Sequence, residues 1–138
     1  MPIEWRDEMS VGSKVIDTDH QELIDLINIF EKSMEAFENK DNIVAALKQL
    51  EEYSQRHFEK EEMFQELIEY PDLEKHRISH QQLVAELSDF ITKLSEKDMV
   101  LNDEANRDQF VEFVRHWLID HVIKEDLLFK PYAKRAKG

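Results

Sequence analysis

The sequence predicts an all-α protein, an up-down-up-down antiparallel four-helix bundle with an extended N-terminal arm. Three observations predict it. Only two Gly and three Pro occur in 138 residues, while Leu, Ile, Glu and Lys are plentiful, a mix that favours helix. Apolar residues recur at helical spacing through four long stretches, and no alternating strand pattern stands out. The connections between these stretches are short, which sets neighbouring helices antiparallel. The length suggests one domain over residues 1–138: an arm over 1–16, a bundle over 17–129 and a tail over 130–138.

In the arm, Pro2, Gly12 and the lack of helical periodicity argue against helix, and Trp5, Val11, Val15 and Ile16 are expected to pack across the bundle. The first helix is expected from Asp17 or Thr18, both good N-caps, to Phe37. His20, Leu23, Ile24, Ile27, Phe30 and Met34 form its inward stripe; read alone, His20 is a core or capping histidine. Asn39 or Asp41 caps the second helix, which runs to Glu69. Ile43, Ala46, Leu50, Tyr53, Met63, Phe64 and Ile68 are placed on or beside the face of His57 and Glu61. Pro71 with Asp72 breaks the chain and starts the third helix, Asp72 to Ser95. Leu73, Leu83, Val84, Leu87, Phe90, Ile91 and Leu94 share its face with His76 and His80. Residues 96–103 form a loop, and Asn102 or Asp103 caps the fourth helix, which ends near Phe129, before Pro131. Within it, Phe110, Val114, Trp117, Leu118 and Leu128 lie within about 60° of His121, whereas His116 is about 140° away and at the surface.

Composition excludes several functions. The net charge of −13 repels nucleic acid and anionic lipid, and the basic KPYAKRAKG end reads as a solvated tail. No apolar run approaches the roughly 20 residues that span a bilayer, and MPIEWRDEMS is no secretory signal. There is no cysteine, so disulfides, thiolate ligands and iron–sulfur clusters are excluded. A cytoplasmic location is expected.

What remains is metal chemistry. His57 with Glu61 and His76 with His80 are i, i+4 pairs, each aiming two side chains at one point. Histidine nitrogen with carboxylate oxygen suits iron, manganese or zinc. With His20 and His121, five inward histidines come from all four helices, and buried polar groups need partners. Glu62, about 100° round the helix from Glu61, is expected to be dispensable. At the end of the fourth helix, regular spacing selects Glu125, about 40° from His121, over Asp126, about 140° away.

The segments VGSKVIDTDHQEL, HFEKEE, HRISH and HWLIDHVIKED resemble, in that order, the hemerythrins, and specifically their single-domain bacterial members. The family pattern is H, H-x-x-x-E, H-x-x-x-H and H-x-x-x-x-D. It falls on His20, His57 with Glu61, His76 with His80, and His121 with Asp126, and so selects Asp126 over Glu125. The resemblance implies two non-heme irons: His76, His80 and His121 on one, His20 and His57 on the other, with Glu61, Asp126 and an oxo or hydroxo group bridging. One coordination position is left open, for reversible binding of dioxygen in storage, transport or delivery. Trp117 and Leu118 match positions that line the oxygen pocket. A non-enzymatic protein is implied; the competing readings are an oxygen or redox sensor and a di-iron oxidase or peroxidase on the same scaffold. Two departures stand out. Asp19 replaces a common Gln and Phe129 a common Tyr, both without loss of a ligand. If Asp126 is used, a widened or π-type turn is expected between His121 and Asp126.

Overall fold

The computed structural model describes residues 2–36, 39–96 and 104–137, with the side chains of 104–106, 121 and 134–137 outside that description. Four helices dominate: α1 (Lys14–Glu35), α2 (Lys40–Leu67), α3 (Leu73–Ser95) and α4 (Glu104–His116). From α4 the chain continues without a break through a π-helical segment, Trp117–Ile123, then α5 (Lys124–Asp126), a 3₁₀ turn (Leu127–Phe129) and α6 (Lys130–Lys137). α1 packs on α2 and α2 on α3, while α4 and the π segment close the antiparallel bundle against α1 and α3. No strand occurs among the described residues.

The start of α1 differs from expectation. Ser13 is the N-cap, accepting from the Ile16 amide at 3.4 Å. Asp17 instead lies inside the first turn and accepts from Val11 N–H and Ser10 Oγ–H, tying the arm to the helix. Gly12 has φ 84°, a value only glycine reaches freely, and it turns the chain into the cap. Starting the helix at Lys14 puts Val15 on its outer side, where it is exposed rather than packed. The arm is otherwise fixed by Asn28, whose amide pairs in both directions with Ile3 N–H and C=O at 2.9 Å, and by Trp5 and Met9 against the core.

Asn39 caps α2 by accepting from the Asn42 amide. The helix ends two residues before the expected Glu69, in a Schellman motif: Tyr70 N–H reaches Gln65 C=O and Glu69 N–H reaches Glu66 C=O. Glu69 takes the left-handed φ of 56° that such an end requires. Asp72 precedes α3 without a side-chain cap bond. The expected caps Asn102 and Asp103, the loop over 97–103 and the helix end at Phe37 lie outside the described residues.

At the other end, the chain does not stop at Pro131, because α6 runs through it. Proline is tolerated in a first helical turn, where its missing N–H has no partner to lose, and the preceding 3₁₀ turn makes Lys130 such a start. Leu128, expected inside, is 63% exposed while Phe129 is fully buried. The π and 3₁₀ turns change the rotation per residue, so phase counted from a regular helix fails beyond them.

The apolar interior forms two clusters. The larger contains Leu23, Ile27, Phe30, Leu47, Leu50, Leu83, Leu87, Val114 and Trp117. The smaller contains Val11, Ile16, Tyr70, Phe129 and Ala133. Along every helix the histidines and carboxylates of interest fall between the two, so the bundle holds one polar layer sealed by apolar layers on both sides.

Asn28→Ala should release the arm. Loss of two partly buried hydrogen bonds should cost roughly 1–2 kcal/mol and lower the melting temperature by a few degrees. Hydrogen exchange at the Ile3 amide should accelerate; unchanged exchange would mean that Trp5 packing alone holds the arm.

Candidate metal centre

Each helix contributes to the polar layer by simple spacing. His57 and Glu61 sit one turn apart on α2, and His76 and His80 one turn apart on α3, so each pair projects from one face. His20 comes from the buried stripe of α1. Asp126 comes from α5, beyond the π segment. His20, His57, Glu61 and Asp126 form one group whose ligand atoms lie within 4.8 Å of one another, and Glu61, His76, His80 and Asp126 form a second. All six residues are buried. His121 lies in the backbone of the π segment, but its side chain is outside the described residues.

The two groups share both carboxylates, and each carboxylate divides its oxygens between them. Glu61 Oε1 is 3.0 Å from His76 Nε2 and 3.1 Å from His80 Nε2, whereas Oε2 is 3.1 Å from His57 Nε2 and 3.6 Å from His20 Nε2. Asp126 Oδ1 is 2.8 Å from His76 Nε2, whereas Oδ2 is 2.8 Å from His20 Nε2. Several of these atoms are close yet unsatisfied: His57 Nε2 and Glu61 Oε2 make no hydrogen bond despite their 3.1 Å separation. Buried atoms of this kind are costly unless something else binds them. A cation with nitrogen and oxygen ligands fits both places.

Without a cation, protons do the neutralising. Burial disfavours a charged His20, but Asp126 and Glu61 beside it prevail and push its pKa up to about 9. His76 is likewise pushed up to about 10, against burial, by Asp126 and Glu61. His57 is raised well above its ordinary value, against burial, by Asp126, Asp19 and Glu61. Glu61 is held well below the usual carboxylate range, against burial, by the four histidines around it.

The two acids at the end of the fourth helix are placed differently in the fold. Asp126 is buried among the histidines, while Glu125 accepts a 2.6 Å hydrogen bond from Ser79 Oγ at the rim. The reason is the expected widened turn, which begins earlier than expected, at Trp117, and ends at Ile123. It adds residues without a full turn of rotation and so brings in a side chain five positions from His121.

Of the groups behind the histidines, sequence reasoning singled out Asp19 as a departure from the family and missed Glu62, Phe58 and Gln65. Glu62 is not idle: His80 Nδ1 donates to its Oε2 at 2.8 Å, and its other oxygen accepts from Arg77 Nε. Asp19 is buried and faces His57 Nδ1 at 3.0 Å. Phe58 stacks on His80 with ring centroids 4.1 Å apart. Trp117 and Leu118 are buried, with Trp117 Nε1–H donating to Leu83 C=O at 2.9 Å. His116 is at the surface beside Asp120. Gln65, one turn beyond Glu61, is fully buried, and its amide has no hydrogen-bond partner among the described residues.

The metal-free protein should lose stability as pH rises from 6.5, the ordinary imidazole value, through about 9 and about 10, where His20 and His76 deprotonate in the fold. Over that window the folded state holds more protons than the unfolded chain, so raising pH favours unfolding. Asp126→Asn should lower both histidine pKa values and flatten this limb of the melting curve. An equally steep limb would show that Asp126 does not hold those protons.

Comparison with known proteins agrees with this geometry. Residues 11–133 match the family described as the Hemerythrin HHE cation binding domain. The bacteriohemerythrin of Clostridium acetobutylicum is 26% identical over 128 residues, covering 88% of this chain and 94% of that protein. The bacteriohemerythrin of Methylococcus capsulatus is 30% identical over 115 residues, 83% of each. A crystal structure of a hemerythrin with a leucine-to-tyrosine substitution superposes with a TM-score of 0.80 at 27% identity, covering 96% of this chain and 98% of that one. A bundle of this shape, with buried histidine and carboxylate clusters where a cation fits, belongs to the hemerythrin family of cation-binding domains.

Proposed function

We propose that this domain binds dioxygen reversibly at a non-heme di-iron centre, for storage, transport or delivery. His20 and His57 would hold one iron and His76, His80 and His121 the other, with Glu61 and Asp126 bridging. The assignment of His121 rests on the H-x-x-x-x-D spacing to Asp126. The observation that carries the reading is the division of four carboxylate oxygens between two histidine groups. A single-metal site has no use for two shared carboxylates, whereas a pair of cations uses one oxygen of each.

Two ferrous ions held there would supply the two electrons that bound dioxygen takes up and returns. The protein's part is to hold, orient and keep dry. Three histidines would serve one iron and two the other, so that the second would keep a position free for dioxygen, as a reactive site requires. Trp117, fixed by its bond to Leu83, and Leu118 are buried and would form the apolar wall of the oxygen pocket. A dry wall disfavours the escape of charged oxygen species and so supports reversal over turnover. The histidine-rich donor set favours a carrier over an oxidase of the carboxylate-rich kind.

Anaerobic reduction followed by air should give a reversible visible band with about two irons per chain. Iron uptake without an oxygen-dependent band, or turnover of peroxide with a reductant, would overturn the carrier reading. Asp126→Ala should abolish the band and reduce iron content. Glu125→Ala should preserve both, because Glu125 is bonded to Ser79 instead.

A further inference from the structure

A metal-binding histidine is oriented through the ring nitrogen that the metal does not use, and the group bonded there also tunes its strength as a donor. In this chain those outer nitrogens are not equivalent. His57 Nδ1 faces Asp19 Oδ2 at 3.0 Å, and His80 Nδ1 faces Glu62 Oε2 at 2.8 Å. His20 Nδ1 has no hydrogen-bond partner among the described residues. His57 belongs to one buried group and His80 to the other, so each group has one histidine backed by a carboxylate.

Each carboxylate is itself held by a cation nearer the surface. Asp19 accepts from Lys60 Nζ at 3.3 Å and from Tyr53 O–H at 3.1 Å. Glu62 accepts from Arg77 Nε at 3.2 Å. Two parallel chains therefore run outward from the centre: His57 to Asp19 to Lys60, and His80 to Glu62 to Arg77.

We propose that Asp19 and Glu62 are positioning residues that set the redox balance of the two halves of the centre, with Lys60 and Arg77 moderating them. This rests on the di-iron reading above. A carboxylate that accepts the Nδ1 proton leaves more electron density on the imidazole. An electron-rich ligand stabilises ferric iron more than ferrous iron and lowers the reduction potential. The cation beside each carboxylate withdraws part of that effect.

The test uses the full iron-loaded chain and reads iron content and reduction potential. Asp19→Asn and Glu62→Gln keep size and remove charge. Each should weaken ferric relative to ferrous binding roughly tenfold, the lower end of what such outer partners contribute. A tenfold change corresponds to an upward shift of about 59 mV in a one-electron potential. Lys60→Met should shift the potential the other way. Lys60 is half exposed, so this variant is expected to fold even if the other two lose iron. Glu125→Gln, whose carboxylate bonds Ser79 rather than a histidine, should leave the potential unchanged.

Opposite shifts for Asp19→Asn and Lys60→Met support the inference, since a structural defect alone would lower iron content without reversing sign. Unchanged potentials with iron retained, or an upward shift for Lys60→Met, overturn it. If the unmodified chain takes up no iron, the di-iron reading fails first and this inference falls with it.

Discussion

The structure depends on burying charge without leaving it alone. Glu61 and Asp126 sit in a layer closed above and below by apolar side chains, where an isolated carboxylate would be prohibitively expensive. Positive charge must therefore be present in that layer at all times. In the metal-free chain His20, His57 and His76 provide it, and for that reason their protons are held above the ordinary imidazole range. A bound cation performs the same service with better geometry. The coupling explains why the layer lies mid-bundle and why all four helices reach into it. Each helix turns one polar step of its apolar stripe toward a common point.

Much of this was legible in the sequence because helical spacing is local. On α1, every residue of the expected inward stripe, from His20 to Met34, is buried. On α2 the expected face, on or beside His57 and Glu61, is slightly off: the buried set, including Leu47, Ser54, Phe58 and Gln65, centres about 50° round from His57. Met63 lies nearly opposite that centre and is 66% exposed. What was not legible is whatever depends on two helices meeting. The bond from His57 to Asp19 spans 38 residues and that from His80 to Glu62 spans 18. Nothing within one helix period signals either. The beginning of α1 was missed for a related reason: Ser13 and Asp17 are both plausible caps by type, and the arm folding back onto Asp17 decided between them.

The fourth helix shows where family pattern and local geometry carry different information. Regular periodicity placed Val114, Trp117 and Leu118 in the core, as observed, because they precede or open the widened segment. Past it the same rule selects Leu128 and Glu125, yet Leu128 is exposed and Glu125 bonds Ser79 while Asp126 lies among the histidines, both for one physical reason. The hemerythrin spacing had already absorbed that irregularity, as a five-residue step where an ideal helix would use four.

The π segment thus works as a phase adjuster, a splice between two registers of one continuous rod. Upstream, the rod presents side chains chosen for shape, to fill the space between α1 and α3. Downstream, it presents Asp126, chosen for charge, ahead of the apolar Phe129 and Ala133. A uniform helix would oblige both demands to share a single angular grid, so that improving one would compromise the other. Offsetting the grid at Trp117–Ile123 lets the packing half and the chemical half be adjusted independently. A less regular backbone ladder is the cost of that independence.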